Sequence, residues 1–271
     1  MRIALVDNGS LEPSAHEGLR TAAARLAAKT GLPVDAVSWR HSDRIPAREL
    51  GGTAARTLDP WVRAGLAQGE REFVLVPFFV SPQGAIASLL RRDLEALRAD
   101  GPDFTCQITD GFDTSSDLAV IVTDRVHEAL ARRQLTRSAV VVVDHGGPSP
   151  ASLAVRDQVA AEVSRALTFG PVAAASMEAP AASGRLAHGP LLADVLASPA
   201  FSSGDVVVAP LFLCPGRHAG PQGDLARIVR EAQARAPGLR CHFADLVGSH
   251  PRAVEALASV LNDALALRLP S

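Results

Sequence analysis

Two histidines, His145 and His218, follow apolar runs in the second half of the chain and have the side chains best suited to chemistry. They lie two and five residues beyond the runs Val140–Val143 and Val206–Leu213, which are typical of buried strands. Because ligands bind at the carboxyl ends of strands in open α/β sheets, both imidazoles are expected at a ligand site. Two imidazoles suit a divalent metal such as Co, Ni, Fe or Zn and leave coordination positions open. The pair therefore predicts a site that holds a metal and passes it on.

The order of strand-like and helix-like segments repeats between the two halves of the chain. Matching strand segments are offset by 137, 133 and 135 residues, at Asp7 and Asp144, Pro77 and Pro210, and Cys106 and Cys241. The first half has Asn8 at the position of His145, and Ala85 at the position of His218. Both imidazoles are confined to the second half, which predicts one working site and one degenerate copy.

Strands alternate with helices along both halves, which predicts parallel sheets with right-handed crossovers and helices on both faces. The predicted strands are Arg2–Asp7, Val34–Ser38, Phe73–Val80, Phe104–Ile108, Ala139–Val143, Val172–Met177, Val206–Leu213 and Leu239–Phe243. We expect two α/β domains, residues 1–135 with the degenerate site and residues 136–271 with the histidine pair, facing across a cleft. One continuous eight-stranded sheet is the alternative.

Composition argues against several classes of protein. The chain has 271 residues and a formal net charge of −2, so neither nucleic acid nor an anionic membrane is an expected partner. The amino terminus lacks a signal-peptide pattern, and no apolar run reaches the roughly 18 residues of a membrane span, so we expect a cytoplasmic protein. Nucleotide-binding glycine motifs are absent, and Asp144 stands where a histidine-type phosphatase would have arginine.

The motifs of the second half resemble those of the class II tetrapyrrole chelatases. These motifs are His145-Gly146-Gly147 after a strand, Pro210-Leu-Phe-Leu-Cys-Pro-Gly-Arg-His218, and Gly248-Ser-His-Pro251 before the last helix. The family contains the sirohydrochlorin cobaltochelatases and ferrochelatases of cobalamin and siroheme biosynthesis. The resemblance implies two flavodoxin-like α/β domains, each a mainly four-stranded parallel sheet flanked by helices. It also implies that His145 and His218 bind the metal and accept pyrrole protons.

The same resemblance implies the reactants. The metal would be a substrate, Co²⁺ or Fe²⁺ and in some cases Ni²⁺, inserted into sirohydrochlorin or a related tetrapyrrole without an organic cofactor. The protein would act as a monomer or homodimer. A non-catalytic carrier of metal or tetrapyrrole on the same fold is the alternative function.

Further residues near the strand ends are candidates for the site. Glu178, at the end of the second strand of the same half, is a candidate third ligand or proton acceptor. The candidates for substrate binding are Gly146, Gly147, Phe212, Gly216 and Arg217. Because sirohydrochlorin carries many carboxylates, Arg217 is the preferred partner for them, ahead of Arg40, Arg156 and Arg185.

Overall fold

A computed structural model describes residues 1–80, 85–99, 101–111, 117–146, 150–178 and 189–267, apart from the side chains of 85–88 and 152. Strands β1 to β8 span Arg2–Asp7, Val34–Ser38, Glu72–Pro77, Thr105–Ile108, Ala139–Asp144, Val172–Ser176, Gly204–Pro210 and Leu239–Phe243. Helices α1 to α8 span Pro13–Thr30, Leu58–Ala67, Ala85–Ala99, Asp117–Arg133, Pro150–Ala166, Leu192–Ala197, Asp224–Arg235 and Pro251–Ala266. Both sets alternate along the chain as the sequence predicts.

The strands form two separate four-stranded parallel sheets, one for each half of the sequence. Their orders are β2-β1-β3-β4 and β6-β5-β7-β8. All six residues of β5 are buried, which explains why this strand is a continuous apolar run before its terminal Asp144. The predicted fold of two four-stranded α/β units is confirmed, and the alternative of one eight-stranded sheet is wrong for the described residues.

The strand order of the second sheet determines where its ligand site can form. The chain leaves β5 for β6 on one side and later returns to β7 on the other side of β5. The loops after β5 and β7 therefore run in opposite directions and open a crevice at the carboxyl ends of these two strands. His145 and His218 follow these two strands, so the topology brings together two residues that are 73 positions apart.

A core beneath this crevice holds β5 and β7 side by side. Val141 and Val143 of β5 belong to the same buried cluster as Val208 of β7, with Leu192 of α6 and Leu225 of α7. Burial of a side chain of this size stabilises the fold by about 1.5–3 kcal/mol. The ends of β5 and β7 are thus anchored by packing rather than by the polar loops that they carry.

The last helix of each sequence repeat packs in the compact unit of the other repeat. The units are Met1–Ser115 with Pro251–Ser271, and Ser116–His250. Helix α8 contacts α1 and β3, while α4 contacts α5 and β7. The units therefore differ from the predicted domains, residues 1–135 and 136–271. An apolar helix face can pack on either of two similar sheets, and the sequence of the helix does not show which one it will contact.

Strands β3 and β7 end earlier than the sequence predicts, at Pro77 and Pro210 instead of Val80 and Leu213. Of the apolar residues that follow, Phe78, Phe79 and Leu211 are 3–8% exposed and pack into the interior, whereas Val80, Phe212 and Leu213 are partly exposed. The side chains of Phe78, Phe79 and Leu211 are therefore buried, as the apolar sequence predicts. The N–H groups of Phe78 and Leu211 still donate to the carbonyls of Val6 and Val143, at 2.7 and 2.8 Å.

Candidate metal centre

The loop after β5 presses His145 and Gly146 against the end of β6. Gly146 has φ of +90°, and a Cβ built on it would lie 2.0 Å from the carbonyl oxygen of Glu178. Only glycine fits at this close approach. The Glu178 N–H donates to the His145 carbonyl at 3.3 Å, and the Met177 N–H donates to the Asp144 carbonyl at 2.8 Å. These contacts bring Glu178 beside His145.

The loop after β7 turns back on the start of α7 and carries His218. The Leu211 N–H donates to the Val143 carbonyl at 2.8 Å, which ties the loop to β5. The carbonyls of Arg217 and His218 then accept hydrogen bonds from the first N–H groups of α7. A Cβ on Gly223 would lie 2.6 Å from both carbonyl oxygens, so this tight turn also requires glycine. The backbone itself positions His218.

The two imidazoles lie side by side, with a carboxylate next to one of them. The ring centroids of His145 and His218 are 4.6 Å apart and the rings are nearly perpendicular, at 85°. Oε1 of Glu178 lies 3.4 Å from Nε2 of His145. The side chains of His145 and His218 are 48% and 29% exposed, so a ligand can reach them. The structure brings together the three residues predicted to carry the chemistry.

The environment of His145 favours the neutral imidazole that a metal requires. Burial is the largest cause lowering the pKa of His145, and the neighbouring His218 lowers it further. The carboxylates of Glu178, Asp144 and Asp224 act in the opposite direction but do not reverse the shift. A lowered pKa keeps the lone pair free near neutral pH, because protonation requires more acid.

A buried polar network lies directly under the loop that carries His145. Arg156 of α5 donates to Ser176 Oγ, which in turn donates to Asp144 Oδ1 at 3.1 Å. The Arg156 side chain is only 2% exposed and also bonds Asp157. Burial raises the pKa of Asp144 despite the opposing effects of Arg156 and Ser176. Arg156, predicted as a weak candidate for binding carboxylates of the substrate, instead supports the strand ends from inside.

The residues predicted to bind the substrate lie partly around the histidine pair and partly elsewhere in the chain. Arg217 is 78% exposed, with Nε 3.8 Å from Asp224. The Phe212 ring centroid is 6.4 Å from that of His218, and the Gly216 carbonyl accepts a hydrogen bond from Gly220 at 2.8 Å. Gly147 and Arg185 lie outside the described residues. Arg40 belongs to the first unit, where it pairs with Asp93 and stacks on Trp39.

The residue that sequence reasoning missed is Asp224. Its Oδ2 lies 2.9 Å from Nδ1 of His218. The only signal in the sequence is an acidic residue at the start of a helix six positions after a histidine, which is a common feature of helices without any site.

The ligand set of the centre is small. Within the described ranges, no group of three or more His, Cys, Asp or Glu side chains has the geometry to hold a metal ion. His145 and His218 therefore leave most coordination positions of a bound metal free, and Glu178 lies next to His145. Such a set suits a metal that arrives and leaves, whereas structural zinc sites have four protein ligands.

The corresponding loop of the first unit has the same backbone but different chemistry. Gly9 has φ of +87°, and a Cβ built on it would clash with the carbonyl oxygen of Arg40. In the same way, a Cβ built on Gly146 would clash with the carbonyl oxygen of Glu178. Asn8 and Arg40 thus stand at the positions of His145 and Glu178. A cavity of about 530 Å³ opens beside Arg40, and neither residue of the histidine pair lines it.

Comparisons with known proteins agree with this architecture. The CbiX family model matches residues 2–129 and 139–264. Among solved structures, SirB from Bacillus subtilis with Fe3+ is similar at a TM-score of 0.68 and 16% identity, covering 97% of this chain and 95% of that one. The sirohydrochlorin chelatase SirB from Bacillus subtilis subspecies spizizenii, in complex with cobalt, is similar at a TM-score of 0.70 and 15% identity, covering 99% and 97%.

A third similar structure is described as CbiX, the terminal enzyme for biosynthesis of siroheme in denitrifying bacteria. Its TM-score is 0.62 and its identity 17%, with 97% of this chain and 99% of that chain covered. No curated protein matches the chain by sequence. Across the described residues, no helix has the length and apolar character needed to cross a membrane.

Proposed function

Because the chain belongs to the CbiX family, matched over most of both repeats, we propose that it inserts a divalent metal into sirohydrochlorin or a related tetrapyrrole. The observation that carries this proposal is the contact of His145 with His218, whose ring centroids are 4.6 Å apart at the carboxyl ends of β5 and β7. Two accessible imidazoles and a nearby carboxylate supply both functions that metal insertion needs: a transient metal ligand and a proton acceptor.

The chemistry of insertion explains why bases must lie beside the metal. The tetrapyrrole loses two pyrrole N–H protons as M²⁺ enters, and no electrons are transferred. His145, held neutral by burial and by His218, is ready to bind the metal or accept a proton. Glu178, 3.4 Å from His145, can receive a proton from the imidazole and return the ring to its neutral state. His145 and His218 act as metal ligands and bases, and Glu178 acts as the second acceptor.

The substrate contacts follow from what surrounds the pair. Arg217 presents an exposed guanidinium group beside His218 and suits a carboxylate of the macrocycle. The ring of Phe212 offers an apolar surface, and Gly146 and Gly216 allow close approach to the backbone. We retain Gly147 as a candidate on its sequence position alone.

The metal and the state of the protein are further parts of the proposal. Co²⁺ and Fe²⁺ are the expected substrates, because imidazole suits both and because the similar SirB structures carry cobalt and Fe3+. We propose that the protein needs no organic cofactor and acts in the cytoplasm as a monomer or homodimer.

Visible absorption tests the proposal. Purified protein is mixed with sirohydrochlorin and Co²⁺ or Fe²⁺, and the spectral change of metal insertion is followed. We expect insertion above the spontaneous rate, reduced about 100-fold or more in His145→Ala and His218→Ala, and about 10-fold or more in Glu178→Gln. His127→Ala, which changes an exposed histidine of α4, is the matched control and should retain the wild-type rate.

Two outcomes would contradict an insertion enzyme. Saturable binding of metal or tetrapyrrole without turnover would identify the protein as a carrier. Insertion that is equally fast in both histidine variants would remove the pair from the mechanism.

A further inference from the structure

Asp224, at the start of α7, forms a short polar contact with one ring nitrogen of His218. Its Oδ2 lies 2.9 Å from Nδ1 of His218. An ionised carboxylate accepts hydrogen bonds and does not donate them, so Nδ1 must carry the hydrogen in this contact. A neutral imidazole protonated at Nδ1 keeps its lone pair at Nε2. The contact therefore leaves Nε2 as the nitrogen available to a ligand.

The backbone builds this contact independently of the two side chains. The Asp224 N–H donates to the Arg217 carbonyl at 3.2 Å, and the Leu225 N–H donates to the His218 carbonyl at 3.1 Å. The Cα of Gly223 faces both carbonyl oxygens, where a Cβ would be 2.6 Å away. These bonds hold His218 against the first turn of α7, where Asp224 is the first residue.

The hydrogen bond is partly shielded from solvent. The side chains of His218 and Asp224 are 29% and 27% exposed, whereas Arg217 beside them is 78% exposed. Partial burial strengthens a charge-assisted hydrogen bond relative to one on the open surface. The same carboxylate lies 3.8 Å from Nε of Arg217 and 3.8 Å from the guanidinium group of Arg227. Asp224 thus sits among three cationic or imidazole groups and has its closest contact with His218.

We propose that Asp224 is a positioning residue of the metal centre, which orients His218 with Nδ1 protonated and presents Nε2 to the metal. The inference rests on the proposed function for the identity of the ligand but not for the contact itself. Carboxylates that bond the second nitrogen of a metal-binding imidazole fix its orientation, and their removal weakens metal binding about 10–100-fold.

A helix role is the competing explanation for an acidic residue at this position. An aspartate in the first turn stabilises a helix through the helix dipole. This role predicts a loss of thermal stability when Asp224 is replaced, without any effect on the protonation pattern of His218. The two explanations therefore differ in a spectroscopic readout.

Nitrogen NMR of the ¹⁵N-labelled, metal-free protein above pH 8 gives that readout. We expect the ring nitrogens of His218 to report a proton at Nδ1 in the wild type, and a mixture of both neutral tautomers in Asp224→Ala. Calorimetric titration with Co²⁺ should show binding about 10–100-fold weaker in the variant. Glu231→Ala removes an exposed carboxylate from the same helix and should change neither result.

Asp224→Asn covers the case in which the alanine variant does not fold. Its amide can accept from Nδ1–H or donate to Nδ1, whereas an ionised carboxylate can only accept, so the form protonated at Nε2 should appear beside the form protonated at Nδ1. The proposal is overturned if His218 is found only in the form protonated at Nδ1 in these variants, or if their Co²⁺ affinity stays within twofold of wild type. Because the tautomer is read without metal or tetrapyrrole, a wild type that shows the Nδ1 proton but inserts no metal contradicts only the proposed function.

Discussion

At the scale of single residues, the site depends on side chains whose roles cannot be deduced from residue type. Arg156 and Arg217 are both predicted candidates for binding carboxylates of the substrate, yet one is buried beneath the site and the other is exposed beside it. Burial decides the difference: a guanidinium group that is 2% exposed can serve only the protein's own carboxylates. Asp144 and Asp157 provide those carboxylates, and the hydroxyl of Ser176 accepts a further hydrogen bond from Arg156.

Arg156→Met tests this supporting role. Its removal leaves the buried Asp144 without its cation, and breaking a buried ion pair in this way costs about 3–5 kcal/mol. We expect a loss of that order in the free energy of unfolding at pH 8, measured by urea denaturation. The pKa of Asp144 is raised, so its carboxylate becomes neutral as the pH falls and the loss should shrink towards pH 5.

Arg165→Met, at an exposed position in the last turn of the same helix, is the control and should cost less than about 0.5 kcal/mol. A destabilisation by Arg156→Met that is the same at pH 5 and pH 8 would show that the ion pair with Asp144 is not its cause.

At the scale of elements, the two repeats use the same strand-end geometry with different polar groups. In the second unit the buried partner of Asp144 and Ser176 is an arginine. In the first unit Nδ1 of His16 lies 3.3 Å from Ser38 Oγ. Burial raises the pKa of Asp7 to about 6 and lowers the pKa of His16 to about 4. Each shift favours the neutral form of its group relative to the same side chain in water.

These shifts predict opposite pH dependences of stability in two variants. The folded-state pKa of Asp7 exceeds its unfolded value, so its contribution to stability is complete below about pH 4 and is lost as the pH rises through about 6. Asp7→Asn should therefore stabilise the protein most at pH 8. The magnitude is at most about 3 kcal/mol, since one pKa unit corresponds to about 1.4 kcal/mol.

His16 has the opposite sign. Its folded-state pKa lies below its unfolded value, so its contribution is present above about pH 6.5 and is lost as the pH falls towards about 4. His16→Gln should narrow the stability difference between pH 7 and pH 4.5 in thermal melts. His127→Gln, at an exposed position, is the control. If His16→Gln and Asp7→Asn changed the pH dependence of stability in the same direction, burial would not be the cause of the two pKa shifts.

At the scale of the whole molecule, we expect the duplicated fold to carry one metal centre. Asn8 and Arg40 replace the imidazole and the carboxylate at the strand ends of the first unit, and a guanidinium group repels a cation. We expect calorimetry to find one Co²⁺ bound per chain, lost in His145→Ala and unchanged in Asn8→Ala. A second ion that survives His145→Ala would contradict a single centre.

The exchange of terminal helices also belongs to this scale. Because α8 packs on the sheet of the first unit and α4 on that of the second, each compact unit contains chain from both sequence repeats. Neither repeat corresponds to a complete unit, although the family model matches each repeat separately.

Much of this protein follows from sequence alone. The alternation of apolar runs and helical segments predicted both sheets, because strand and helix periods are local properties of the chain. The repeat comparison selected His145 and His218, since an imidazole absent from the equivalent position is visible without coordinates. Three features depended on the tertiary structure: the contact of Asp224 with His218, the burial of Arg156, and the sheet on which each terminal helix packs. The burial of Arg156 and the packing of the terminal helices depend on residues distant in sequence, and the contact of Asp224 with His218 depends on the path of the short loop between them, so packing of the folded chain determines all three.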